Sequence, residues 1–86
     1  MTRQEIFEQL KEIMLETDDR SKEIVEKSTE ETDLMQDFGF NSVNMLYIVI
    51  MIEESFGIRF EDVGVQDLRK VGDVISYIEK ELEKKA

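Results

Sequence analysis

Apolar residues recur at helical steps near both ends of the chain and crowd into one dense run in the middle. Near the start, Ile6, Phe7, Leu10, Ile13 and Met14 follow Thr2 and Glu5, whose T-x-x-E spacing is that of a capping box. This predicts a helix over about residues 3–16, with Glu8, Lys11, Glu12 and Glu16 on its solvated face. Near the end, Val71, Val74, Ile75, Ile78 and Leu82 share one face of a helix over about 71–83. Lys80, Lys84 and Lys85 there suit the negative end of the helix dipole.

The dense run is "VNMLYIVIMIEESF", residues 43–56. Its apolar core alone fits a buried strand or a helix; its length and its Glu53-Glu54 end favour the helix. At about 100° per residue it separates into two apolar faces. Met45, Ile48, Val49, Ile52 and Phe56 lie on one, Val43, Leu46, Tyr47 and Ile50 on the other. One face can meet a core and the other be left as a binding stripe, or both can be core.

From Thr17 to Phe40 the chain is polar, with Ile24, Val25, Leu34, Met35 and Phe38 as its apolar anchors. This reads as a long connection with one short helical turn near Ser21 to Glu26, and connections of that length are commonly functional or mobile. Beyond the central helix, Gly57 fits a stop and Ile58 and Phe60, two apart, an extended link with both side chains inward. Asp62 can cap a marginal short helix near Val63 to Leu68, which Gly64 weakens. The expected fold is all-α: one domain over residues 1–86, three main helices plus one short helix in a small four-helix bundle with a long first loop.

Composition narrows the function. Eleven basic against 21 acidic residues leave a formal charge of −10, which repels nucleic acid and anionic membrane and either favours basic surfaces on other proteins or simply keeps the domain soluble. The absence of cysteine and histidine removes disulfides, thiolate metal sites, an intrinsic thiol nucleophile and the usual general base. The acidic pairs Asp18-Asp19, Glu30-Glu31 and Glu53-Glu54 lack the alternation of a calcium loop, and Gly39 alone makes no phosphate loop. No metal site and no catalytic residue is expected. The start lacks a secretory core and no stretch has the length of a membrane span, so a cytoplasmic protein is expected.

One dipeptide stands out. Asn41 and Ser42 precede the central helix, and both suit an N-cap, but only one can occupy it. If Asn41 caps, Ser42 becomes the first helical residue, its hydroxyl free at the positive end of the dipole, where a phosphate ester would be well placed. On spacing alone an ordinary cap is the commoner reading. A catalytic serine is disfavoured, because no histidine is present and no lysine is near in sequence.

The run "DLMQDFGFNSVNMLYIVIMIEESFGIRF" resembles the central segment of acyl carrier proteins, and the order of elements on either side follows the same plan. The resemblance implies a bundle of acyl-carrier type, with no enzymatic activity of its own. It implies that Ser42 carries a covalent 4′-phosphopantetheine, attached from coenzyme A by a phosphopantetheinyl transferase using magnesium. Acyl groups would ride on that arm as thioesters between enzymes of fatty acid, polyketide or related biosynthesis. It makes the central helix the recognition element for acyl-loading and acyl-processing enzymes with basic or apolar docking surfaces. Asn41, Val43, Leu46, Tyr47, Ile50, Glu53 and Glu54 would then face the partner of a monomeric carrier.

The chain departs from the family pattern at several places. Asn41 stands before the serine where the family usually has Asp, and Val43 after it in place of Leu. Asn44 and Tyr47 stand where fatty-acid carriers typically have acids, so the stripe is unusually apolar and points to a dedicated partner. Arg69 and Lys70 put a basic spot before the last helix for which the sequence offers no account. Two alternatives stay open: an aminoacyl or peptidyl carrier, for example one loaded with D-alanine, and an unmodified helical interaction domain.

Overall fold

Thr2 and Glu5 close the predicted capping box: the Glu5 N–H donates to Thr2 Oγ1 at 3.1 Å and the Thr2 N–H to Glu5 Oε1 at 2.8 Å. Helix α1 (Arg3–Thr17) starts there in the computed structural model, which describes residues 2–17, 22–60 and 68–85. It ends one residue beyond the expected Glu16, where the Thr17 hydroxyl bonds the Ile13 carbonyl at 2.9 Å. Ile6, Leu10, Ile13 and Met14 are buried, as the periodicity requires.

The single helical turn expected near Ser21 to Glu26 is a six-residue helix, α2 (Lys22–Lys27), with Val25 buried; Ser21 itself lies outside the described residues. Ser28 stops it, its N–H and its hydroxyl both bonding the Val25 carbonyl, at 3.1 and 2.6 Å. Helices α3 (Ser42–Phe56) and α4 (Val71–Lys85) complete the four helices seen among the described residues, and α4 runs two residues past the expected end at 83. The short helix expected from Val63 to Leu68 lies outside the described residues except for Leu68, which is buried and not helical.

Helix α1 is the common support, packing against α2, α3 and α4. The core joins its buried face to Val25, Leu34, Phe38 and Phe40, to Met45, Ile48, Ile52 and Phe56 of α3, and to Val71, Val74, Ile75 and Ile78 of α4. Past Gly57, whose φ of 67° is the left-handed stop, Ile58 is buried and Phe60 half-buried against the ring of Tyr77 at 4.6 Å. Arg59 between them is exposed, so the two apolar side chains turn inward on either side of it, as read from the sequence.

The long connection is held at close intervals. The Leu34 N–H bonds the Arg69 carbonyl at 2.7 Å, the Val71 N–H the Thr32 carbonyl at 3.0 Å, and the Gly72 N–H the Glu30 carbonyl at 2.8 Å. Residues 30–34 therefore lie against the start of α4, with Asp33 and Lys70 paired as an antiparallel bridge. Arg3 ties the same stretch to two helices, its guanidinium bonding Glu30, the Ser76 hydroxyl at 3.2 Å and Glu79 at 2.9 Å.

Candidate functional site at the start of helix α3

The chain reaches α3 through a turn built on Asp33. Its Oδ1 accepts the N–H groups of Met35 at 2.9 Å and Gln36 at 2.8 Å, while its own N–H donates to Asp37 Oδ2 at 2.7 Å. The bond from the Gln36 N–H, with help from that of Met35 and from Arg69 and Lys70, holds the Asp33 carboxyl below its usual range. Leu34 is buried, and its carbonyl accepts the Phe40 N–H at 3.3 Å.

Between the buried rings of Phe38 and Phe40, stacked 5.2 Å apart and inclined by 7°, Gly39 has φ of 73°. Space is open around an added Cβ at Gly39, so it is the left-handed backbone that requires glycine. Both rings enter the core, and the next two residues are left at the surface.

Of the two candidates for the cap, Asn41 takes the position. Its backbone is extended (φ −96°, ψ −176°) and its Oδ1 accepts the Asn44 N–H at 2.9 Å. Asn44 answers, its Oδ1 accepting the Asn41 N–H at 3.2 Å. The reciprocal box escapes the usual sequence signature because its second member is Asn rather than Glu or Gln. Ser42 is therefore the first helical residue, exposed, and its hydroxyl has no hydrogen-bond partner among the described residues. The first turn of α3 carries no acidic residue, whereas α1, α2 and α4 open with Glu5, Glu23 and Asp73.

Helix α3 has the two faces read from its spacing. Met45, Ile48, Ile52 and Phe56 are buried and Val49 half-buried; Val43, Leu46, Tyr47 and Ile50 are exposed by 72%, 53%, 44% and 52%. The second face is therefore a surface stripe and not core. Glu54 is exposed at its far end, about 18 Å from Ser42 along the helix. Glu53 is half-buried, and its Oε2 holds the Phe60 N–H at 3.0 Å. A groove of about 370 Å³ lined by Ile50, Glu53, Glu54, Gly57, Ile58 and Arg59 closes that end, so a cation the sequence reading left out sits beside the two acids.

The basic spot before α4 has its explanation in residues distant along the chain. Lys70 Nζ pairs with Glu31 at 3.0 Å, which raises the lysine's pKa, and the Arg69 guanidinium stands 3.9 Å from Asp33. Both cations face the loop that leads to Ser42. Among the described residues no cluster of acids could hold a metal ion, and no helix is long and apolar enough to cross a membrane.

The family model described as "Phosphopantetheine attachment site" matches residues 8–78. Acyl carrier proteins are among the similar curated proteins. That of Thermotoga maritima is 37% identical over 94% of this chain and 96% of its own length. That of Coprothermobacter proteolyticus is 33% identical over 95% and 96%, and that of Renibacterium salmoninarum 40% identical over 87% and 89%. With an exposed serine opening a helix that presents an apolar stripe, and with relatives matched over nearly their whole length, the chain belongs to the acyl carrier protein family, whose prosthetic group is a covalently attached 4′-phosphopantetheine.

Proposed function

We propose that Ser42 is the residue that bears the 4′-phosphopantetheine arm. The observation that carries this reading is the cap at Asn41, which leaves the Ser42 hydroxyl exposed and unbonded among the described residues at the positive end of α3. The surroundings fit a phosphodiester: the first turn has no carboxylate to repel it, and N–H groups at a helix start lack helical partners. Bound there, the group supplies the thiol that a chain without cysteine lacks, and acyl cargo travels on it as a thioester.

In the attachment step, Ser42 Oγ attacks the coenzyme A phosphorus that carries the pantetheine. The new O–P bond forms as the bond to adenosine 3′,5′-bisphosphate breaks. Adenosine 3′,5′-bisphosphate is the leaving group, and the base that takes the hydroxyl proton would come from the transferase, since this chain has no histidine to supply it. Tandem mass spectrometry of the modified protein tests the assignment: the group is expected on the peptide fragment containing Ser42, and its presence on any other hydroxyl overturns it.

The docking face in this reading is Asn41, Val43, Leu46, Tyr47 and Ile50, with Glu53 and Glu54 at the far end. Four exposed apolar side chains in one row support a partner that gains mainly from buried apolar area, and the net charge of −10 supports basic residues around its rim. The partners are the transferase and the enzymes that load and process acyl groups in fatty acid, polyketide or related biosynthesis. The 86 residues act as one monomeric carrier domain in the cytoplasm, without catalytic residues of their own.

A further inference from the structure

We infer that Asn44 is a positioning residue for the modification of Ser42, because it decides which of two neighbouring residues caps α3. This rests on Ser42 being the attachment residue. Asn41 and Ser42 are both strong N-cap residues, so the chain has two helix starts one residue apart. With Asn41 as cap, Ser42 is helical and its hydroxyl is exposed. With Ser42 as cap, its Oγ would accept a backbone N–H from the first turn and its backbone would leave the helical region. The hydroxyl would then be engaged in the fold and turned away from an incoming phosphoryl group.

The residue three places on separates the two starts. For Asn41 it is Asn44, whose Oδ1 returns a bond to the Asn41 N–H at 3.2 Å and completes the box. For Ser42 it is Met45, which offers no oxygen and is buried in the core. The exposed start therefore has two side-chain-to-backbone bonds and the engaged start one. Asn44 is set apart from the outer stripe by this role, being half-buried and turned back toward Asn41.

The test is the steady-state kinetics of phosphopantetheinyl transfer to the intact protein, with coenzyme A, magnesium and a broad-specificity transferase, read beside the ¹³Cα and ¹³Cβ shifts of residue 42. In Asn44→Ala, one side-chain bond remains for either start, so the two are expected to be about equally populated; kcat should fall about twofold and the shifts of Ser42 move from helical toward an average of helical and extended. KM stays unchanged, because docking on the outer stripe is untouched. Asn44→Gln, which restores an oxygen that can reach the Asn41 N–H, should recover both readings. Glu5→Ala, which breaks the equivalent box on α1, should change neither. An Asn44→Ala protein modified at the wild-type kcat with helical shifts at Ser42 overturns the inference and leaves the attachment reading intact. So does an equal loss in Glu5→Ala, which would mean that general destabilisation is the cause. A folded wild-type protein that is not modified at Ser42 overturns the attachment reading itself.

Discussion

The Gly72 N–H donates to the Glu30 carbonyl at 2.8 Å, and a Cβ on Gly72 would stand 3.0 Å from that same oxygen. The start of α4 and the loop before Ser42 thus touch backbone to backbone. Glu30 cannot easily retreat, since Arg3 holds its side chain by two hydrogen bonds.

Gly72→Ala is therefore expected to lower stability by about 1 kcal/mol in urea unfolding. The loss of loop-to-helix hydrogen bonds outweighs the roughly 0.5–1 kcal/mol that alanine ordinarily gains over glycine inside a helix. A more stable variant would show that the loop yields without cost.

Gly39→Ala separates backbone strain from crowding. The surrounding space is open and φ is 73°, so a loss of about 1–2 kcal/mol is expected from the left-handed backbone alone. Unchanged stability would mean that the turn carrying Phe38 and Phe40 can relax into another shape.

Asp33→Asn tests the charge at the centre of the loop, since asparagine keeps an acceptor oxygen for Gln36 and Met35. The Asp33 carboxyl is held below its ordinary value of 3.8, so its ionised form stabilises the folded state above that value. That contribution is lost as pH falls through the folded pKa. The gap in melting temperature between the wild type and Asp33→Asn should be full at pH 7 and begin to close only as pH falls below the ordinary value of 3.8, toward the lowered folded value. A gap of constant size across that range would assign the effect to shape instead of charge.

Leu46→Glu and Ile48→Ala form a contrasting pair on α3. Leu46 is 53% exposed, so its replacement should change stability by no more than about 0.5 kcal/mol while weakening binding to a loading enzyme. Ile48 is 1% exposed, and truncation there should cost about 2–5 kcal/mol. A collapse of the Leu46 variant in thermal unfolding would turn the stripe back into core.

These contrasts follow how much of the molecule was legible in the sequence. Helical faces were read correctly because burial imposes a period on the side chains: Val71, Val74, Ile75 and Ile78 all went inside, and Val43, Leu46, Tyr47 and Ile50 all stayed out. The long loop was not, since its order comes from backbone pairs such as Leu34 with Arg69, which leave no side-chain signature. Arg69 and Lys70 were unexplained for a related reason: Asp33 and Glu31, which they face, are adjacent only in the fold. At the site, Asn41 and Ser42 competed for one cap, and the residue that breaks the tie, Asn44, lies outside the usual box pattern. Glu53, read as a surface acid, is half-buried and occupied by the Phe60 N–H.

The most direct test of the central claim is the intact mass of the wild type and of Ser42→Ala after incubation with coenzyme A, magnesium and a broad-specificity transferase, each protein first shown to be folded by circular dichroism. The wild type should gain one phosphopantetheinyl group, and Ser42→Ala, which keeps the Asn41 cap and hence the helix, should gain none. A folded wild type that gains nothing, or a Ser42→Ala protein that still gains the group, would contradict it.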